Sequence, residues 1–477
     1  MIDLVDNSVD INDLIDENFC PSERLAHGSR LDLSSAIKAN RNACYALAEG
    51  DLSKALEESV EAIRFHSNWP AALQTYAMTQ FHVGNFNNAR RALERAIVID
   101  PTYDPSYSAL FTLLVELGNK DDALTVLDEL DDQVPGLAET DFLRSTLLLS
   151  EGEYAGAAKH LDRGVRSLSL TPNSRMLPYG VVSKPRLLQD KDQLHRLMVL
   201  GKLPKIKFEA VLDGYELALN AFPKSEETDW KEAPVVKLDP ELLSLIRPFY
   251  RRVVNLETAN RTSYPAISEK ICSEKVENEY LTNSDFPVAI IDNFLDDRVL
   301  NTLLNYLYDS TIWHNDAQLG RNYIGAYRQN GLSCPLVLQI AEELQSRFDK
   351  ILGQHELLEF WAYRMVTGET GVGAHADSTA VNVNIWLTPS PESISSAGLK
   401  MFKSCAPNEW EYADYNANPE LIDNLLEGVE SNLIPYKQNR AVIFNSRIFH
   451  ETGPLPKINR YEDGRINLTF LFGCELK

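Results

Sequence analysis

Four glycines, Gly50, Gly84, Gly118 and Gly152, recur with a period of 34 residues, and Ala55, Ala89, Ala123 and Ala157 keep the same period a few places later. Glycine enters the left-handed backbone conformation without steric penalty, which ends a helix sharply, and alanine lets the next helix approach closely. Each period, for instance Val-Gly-Asn-Phe-Asn-Asn-Ala, therefore reads as a helical hairpin. Pro101 and Pro135 fall between hairpins, where a residue lacking its N–H stops one helix and helps start the next. A single hairpin cannot bury its apolar face, so the units must stack into a solenoid, expected over residues 34–170.

This periodic pattern resembles the tetratricopeptide repeat. The resemblance implies a concave surface of the kind that holds a protein or peptide partner, with a spacer or assembly element as the alternative. Residues 1–33 ahead of the repeats read as an N-terminal arm. Residues 171–223 read as a linker followed by capping helices. The linker is TPNSRMLPYGVVSKP, and Leu194, Leu197, Met198, Phe208, Val211, Leu212, Tyr215 and Leu219 then fall at helical spacing. Residues 224–285 form a connecting segment with apolar islands, among them LLSLIRPFYRRVV, and residues 286–477 form a further domain.

Charge narrows the partners. The chain carries 46 basic and 69 acidic residues, a net −23, with no basic stretch to neutralise phosphates, which excludes direct nucleic-acid binding. No run of about 18 apolar residues exists to cross a membrane, and the acidic start MIDLVDNSVDINDLIDE lacks a secretory signature. Cys20, Cys44, Cys272, Cys334, Cys405 and Cys474 are too scattered for a zinc ribbon or a disulfide framework. A soluble, cytoplasmic chain is expected.

The chemistry concentrates in FWAYRMVTGETGVGAHADSTAVNVNIWLTP, residues 360–389. There His375 and Asp377 stand two apart in a segment that reads as extended, which aims both side chains at one face. His450 closes an apolar run, AVIFNSRIFH, that reads as a buried strand. Two histidines and one carboxylate make the facial triad of non-haem Fe(II) oxygenases, which leaves coordination positions open. A last strand opens with Arg465 and reads RINLTFLF, with Arg465, Asn467 and Thr469 alternating against Ile466, Leu468 and Phe470.

On His375-x-Asp377, His450, and Arg465 with Leu468-Thr469, residues 286–477 resemble the Fe(II)/2-oxoglutarate-dependent oxygenases, especially the prolyl-hydroxylase-like branch. The resemblance implies a double-stranded β-helix, or jelly roll, so the whole chain is a multidomain α + β protein: an α-helical solenoid and then a jelly roll. It implies Fe(II) held by His375, Asp377 and His450, with 2-oxoglutarate and O2 as the small-molecule cosubstrates. The far carboxylate of 2-oxoglutarate would pair with Arg465, whose planar fork can bond both oxygens, aided by Thr469 and Tyr363. The entry FPVAIIDNFL, then a helix capped by Asp296 with apolar Val299, Leu300, Leu303, Leu304 and Leu307, fits the same family.

The implied activity is a dioxygenase that decarboxylates 2-oxoglutarate to succinate and hydroxylates a C–H bond. Asp377 fills the position that related halogenases leave for a halide. A protein or peptide substrate recruited by the repeats is expected; a small-molecule substrate and a non-catalytic scaffold are the alternatives. Two loops are candidates for substrate contact. Residues 313–333, with Asn315, Arg321, Asn322, Tyr323, Tyr327 and Arg328, read as a lid, and the insertion at 403–440 carries Trp410, Tyr412, Tyr415 and a short helix. Arg447 is a further candidate.

Overall fold

The structure is a computed structural model that describes residues 33–170, 181–222, 235–283, 286–315, 322–366, 371–389, 398–453 and 460–474. The expected N-terminal arm, apart from Leu33, and most of the linker lie outside the described residues, as does Arg321. The chain divides into two compact units, with the boundary between Leu147 and Leu148.

The first unit is built of antiparallel helices α1 (Leu33–Ala48), α2 (Leu52–Phe65), α3 (Pro70–His82), α4 (Phe86–Ile99), α5 (Asp104–Glu116) and α6 (Lys120–Gln133), and α7 (Ala138–Ser150) runs across the boundary. The glycines do what their period predicts. At Gly84, φ is +84°. The Gly84 N–H donates to the Phe81 carbonyl (2.9 Å), and the Asn85 N–H donates to the Gln80 carbonyl (2.8 Å). Those two bonds satisfy carbonyls that the end of α3 would leave unpaired. Ala55, Ala89 and Ala123 are each 0–1 % exposed, so the helices cross at the small residues. Tyr76, Leu93, Tyr107, Phe111 and Leu127 fill the space around those crossings.

In the second unit α8 (Tyr154–Leu170) comes first. The pair β1 (Val181–Ser183) and β2 (Val235–Lys237) brackets α9 (Lys184–Val199) and α10 (Lys205–Asn220), and α11 (Pro240–Ile246) and α12 (Ser273–Thr282) follow. Leu194, Leu197, Phe208, Val211 and Tyr215 form one core with Phe249 and Tyr250 of the LLSLIRPFYRRVV island. Helix α9 begins at Lys184, where the Ser183 hydroxyl caps it by accepting from the Arg186 N–H.

The remaining elements are β3 (Val288–Asp292), α13 (Asp297–Asp309), β4 (Tyr323–Tyr327), α14 (Pro335–Arg347), α15 (Asp349–Leu352), β5 (Leu357–Met365), β6 (Thr379–Trp386), β7 (Leu399–Cys405), α16 (Tyr412–Asn416), α17 (Pro419–Leu426), β8 (Ser431–Ile434), β9 (Arg440–Asn445), β10 (Ile448–Thr452) and β11 (Ile466–Cys474). The entry strand and helix form as expected, with the Asp296 carboxylate accepting the Arg298 N–H. Six antiparallel strands order as β3-β9-β6-β11-β5-β4, and three more as β10-β7-β8. Trp386, Val442 and Phe444 of the large sheet share a core with Leu399, Met401, Ile434 and Ile448 of the small one. Two antiparallel sheets of six and three strands that share this core have the jelly-roll arrangement of a double-stranded β-helix, and the last strand is β11.

Polar contacts join α9 to the rest of this unit. Arg186, 1 % exposed, pairs with Asp190 at 2.9 Å and donates to the Trp313 carbonyl. Gln193 donates to the carbonyls of Tyr308 (3.0 Å) and Ser310 (2.8 Å), and Arg196 pairs with Asp309 at 2.8 Å. His314 is buried in this region. Burial, with the Arg186 and Arg251 charges adding to it, pushes its imidazole down to about 3.

Two predictions follow from the packing. A Cβ at Gly84 would meet nothing within 4 Å, so Gly84→Ala carries only the backbone cost of a left-handed L-residue, about 1–2 kcal/mol. Amide hydrogen exchange in α3 and α4 should quicken about 5- to 30-fold, and unchanged exchange would contradict the assignment. His314 is neutral in the folded state and titrates at its ordinary value when unfolded, so stability is lost as pH falls below about 6.5. From about pH 7.5 to about pH 5 its share is about 2 kcal/mol, and His314→Asn should lose that much less in urea titrations at the two pH values.

Candidate active site

The segment carrying His375 and Asp377 is not the expected regular strand. It is a loop fastened to β10 by one isolated bridge: the His375 N–H donates to the His450 carbonyl (3.0 Å), and the His450 N–H returns a bond to the His375 carbonyl (2.9 Å). The Asp377 N–H donates to the Ser446 carbonyl at 2.9 Å, and the Thr452 N–H to the Val372 carbonyl at 2.9 Å. At Gly371 the two backbones come so close that a Cβ would fall 1.6 Å from the Thr452 carbonyl oxygen, which only glycine avoids. Alternation survives without a full ladder, because bonds on both sides of Ala376 hold it extended.

The run AVIFNSRIFH is also two strands. It turns at Ser446 and Arg447, leaving β9 in the large sheet and β10 in the small one. Residues buried on both faces carry no period that would mark a change of sheet. The turn brings His450 beside His375, with ring centroids 4.3 Å apart.

His375, Asp377 and His450 each offer a ligand atom, and these atoms lie within 4.8 Å of one another. His450 Nε2 is 3.7 Å from Asp377 Oδ2. His375 Nδ1 lies 2.8 Å from the Gly373 carbonyl, and His450 Nδ1 lies 2.9 Å from the Ile448 carbonyl. A carbonyl only accepts, so Nδ1 carries the proton in each ring and the Nε2 lone pair is left for a cation. Burial, then the adjacent His375, pushes His450 down to about 4, so its imidazole is neutral at physiological pH. Among the described residues these three form the one such cluster.

The cleft beside them encloses about 580 Å³, counting its open mouth. Tyr363, Asn382, Asn384, Arg465, Asn467 and Thr469 line it, together with all three candidate ligands. The alternation read in RINLTFLF thus points Arg465, Asn467 and Thr469 into the cleft, while Ile466, Leu468 and Phe470 are fully buried on the other face. Arg465 is 5 % exposed, with its guanidinium 4.9 Å from the Tyr436 ring centroid and 5.2 Å from that of Trp386. Burial lowers it to about 10, which still leaves it a cation at neutral pH. Tyr363 lies 2.6 Å, oxygen to oxygen, from Tyr327. The Thr469 hydroxyl donates to Asn384 Oδ1 at 2.7 Å, so its proton is already used within the protein.

The sequence reading missed Asn382, Asn384 and Asn416. Asn382 Nδ2 donates to Asp377 Oδ2 at 2.6 Å. Asn416 donates to the Ala376 carbonyl at 2.9 Å, while the Ala376 N–H donates to the Tyr415 carbonyl at 3.0 Å. The insertion therefore grips the residue between the two candidate ligands from both ends. Trp410 packs its ring against Phe449, and Tyr412 is 55 % exposed. Arg447 donates to the Ala406 carbonyl. A signal for Asn382 existed: alternation in VNVNIW puts Asn382 and Asn384 on one face of β6.

Of the expected lid over 313–333, residues 316–321 lie outside the described residues, and the remainder is held within the fold. Tyr323–Tyr327 is the edge strand β4, whose Ile324 and Ala326 are fully buried. That period-two pattern outweighs the glycine content that suggested a lid. Trp313 is 1 % exposed and donates to the Leu307 carbonyl, and Asn322 is likewise buried. Asn315 pairs with Gly325 through the backbone, and Arg328 meets Glu359 at 3.5 Å.

The tetratricopeptide-repeat family model matches residues 81–140. No curated protein matches the sequence. Among solved structures, a prolyl hydroxylase from Trichoplax adhaerens, in complex with a hypoxia-inducible-factor peptide fragment, is 18 % identical. That match covers 42 % of this chain and 89 % of that one, with TM-score 0.31. The non-haem α-ketoglutarate-dependent epimerase SnoN of nogalamycin biosynthesis is 12 % identical, over 42 % of this chain and 80 % of its own, with TM-score 0.32. The protein MamA is 17 % identical, over 28 % and 78 %, with TM-score 0.24. At these scores function has to be read from the side chains themselves.

The grip on Ala376 is testable. Asn416→Ala leaves a buried carbonyl without its side-chain donor, so unfolding free energy should fall by about 1–3 kcal/mol. A variant as stable as wild type in urea titrations would show that the contact is dispensable.

Proposed function

We propose that this protein is an Fe(II)- and 2-oxoglutarate-dependent dioxygenase that hydroxylates a C–H bond of a protein or peptide substrate docked by its tetratricopeptide repeats. The observation that carries the reading is the convergence of His375, Asp377 and His450, with ligand atoms within 4.8 Å of one another, in a cleft that also holds a buried arginine.

The donor set fits the metal. Two imidazole nitrogens and one carboxylate suit a divalent ion of intermediate hardness and leave positions open for a chelating cosubstrate and O2. The far end of the cleft fits a dicarboxylate. A cation buried to this extent, with its affinity for protons lowered, gains most from an anion laid against it, and a guanidinium fork can bond both carboxylate oxygens. When bound, the iron and 2-oxoglutarate would supply oxygen activation coupled to decarboxylation to succinate.

The residues of this chain have the remaining tasks. His375, Asp377 and His450 would hold the ion. Arg465 would orient the cosubstrate through its far carboxylate, with the Tyr363 hydroxyl within the same cleft. The aromatic rings of Trp361, Tyr363 and Trp386 would exclude water from the reacting centre. The repeats support a macromolecular substrate, because stacked helical hairpins present an extended surface suited to a peptide. Among the described residues no helix is long and apolar enough to cross a membrane.

The protein supplied anaerobically with Fe(II) and 2-oxoglutarate, then exposed to O2, should form succinate, and His375→Ala should abolish this. Arg465→Lys should raise the KM for 2-oxoglutarate about 10- to 100-fold, the equivalent of about 1.5–3 kcal/mol of charged hydrogen bonding. Removing residues 1–137 should spare succinate formation while preventing oxygen incorporation into a polypeptide substrate. Succinate formation that survives His375→Ala contradicts the metal reading. Polypeptide hydroxylation that survives the deletion contradicts the role given to the repeats.

A further inference from the structure

Asn382 and Asn384 are 1 % and 8 % exposed, two uncharged amides on the inward face of β6 where Val381, Val383 and Ile385 occupy the other face. Burying amides costs free energy unless each polar atom is bonded. These are bonded to one another in a directed chain. Thr469 Oγ1 (2.7 Å) and Asn467 Nδ2 (3.2 Å) donate to Asn384 Oδ1, Asn384 Nδ2 donates to Asn382 Oδ1 (3.2 Å), and Asn382 Nδ2 donates to Asp377 Oδ2 (2.6 Å).

The direction follows from the end point. An ionised carboxylate only accepts, so Asn382 must present its NH2 to Asp377, which leaves its carbonyl oxygen for the NH2 of Asn384. The Asn384 oxygen is then free to accept from β11. Every donor in the chain points toward Asp377.

We propose that Asn382 is a positioning residue for the metal carboxylate and that Asn384 acts through it, so that the ladder ties Asp377 to β11, the strand that Arg465 immediately precedes. The Asp377 oxygen that Asn382 bonds is also the one 3.7 Å from His450 Nε2, so the amide fixes the carboxylate beside the imidazole without a search over rotamers. Asn384 touches none of the candidate ligands. Its influence on the cation passes through the orientation of the Asn382 amide. The inference rests on the metal reading of the previous subsection.

The test is a double-mutant cycle on the full chain, with Co(II) binding followed by calorimetry and the melting temperature of the metal-free protein as structural control. Asn382→Ala should weaken Co(II) binding about 10- to 100-fold, the usual scale for groups that orient a ligand. Asn384→Ala should weaken it less, and the double variant should bind no more weakly than Asn382→Ala alone. Equal affinity of Asn382→Ala and wild type, or losses that multiply in the double variant, would overturn the ladder while leaving the metal centre in place. If Asn382→Ala does not fold, Asn384→Ala decides, since unchanged Co(II) affinity there contradicts the proposal. A wild-type protein that binds no Co(II) would overturn the metal reading and the ladder with it.

Discussion

The geometry of the candidate site depends on one pair of reciprocal backbone hydrogen bonds, between His375 and His450. They attach a loop to the edge of a three-stranded sheet and put two imidazoles side by side. Within each ring, Nδ1 is turned to a carbonyl two residues away, so the bridge aligns two side chains that are already oriented. The glycine at 371 and the insertion that holds Ala376 both protect the bridge. One allows the backbones to approach and the other stops the loop from lifting away.

The interior of the β-helix divides by chemistry. Toward β7, β8 and β9 it is apolar, with Trp386, Met401, Val442, Phe444 and Ile448 in one cluster. Toward β5, β6 and β11 it is polar, with asparagines, Thr469, Tyr363 and a buried guanidinium. Polar groups in such a place weaken a core, and evolution commonly tolerates the loss where a ligand needs them. The outer face of β11 returns to Ile466, Leu468, Phe470 and Phe472, all fully buried, so the fold loses nothing there.

Sequence reading succeeded where one residue type had one physical reason. The repeated glycines ended helices and the repeated alanines sat at crossings, since neither position tolerates much else. The residue types at 375, 377, 450 and 465 stood out before any geometry was known, and the structure brings all four to one cleft. It failed where context decided. AVIFNSRIFH is apolar on both faces and conceals a change of sheet; the glycines around Tyr323–Tyr327 suggested a loop where alternation made an edge strand. Asn382 and Asn384 were visible as an alternating pair, but their bonding to Asp377 and Asn384's acceptance from Thr469 required the register of β6 against β11.

The central claim is that His375, Asp377 and His450 share one ion. Crystals grown without oxygen in Fe(II) and 2-oxoglutarate, measured on both sides of the iron absorption edge, test it most directly. The account predicts a single anomalous peak within bonding distance of both Nε2 atoms and the Asp377 carboxylate, with the dicarboxylate running from that peak to Arg465. Iron bound elsewhere, or a peak that leaves out His450, would contradict it.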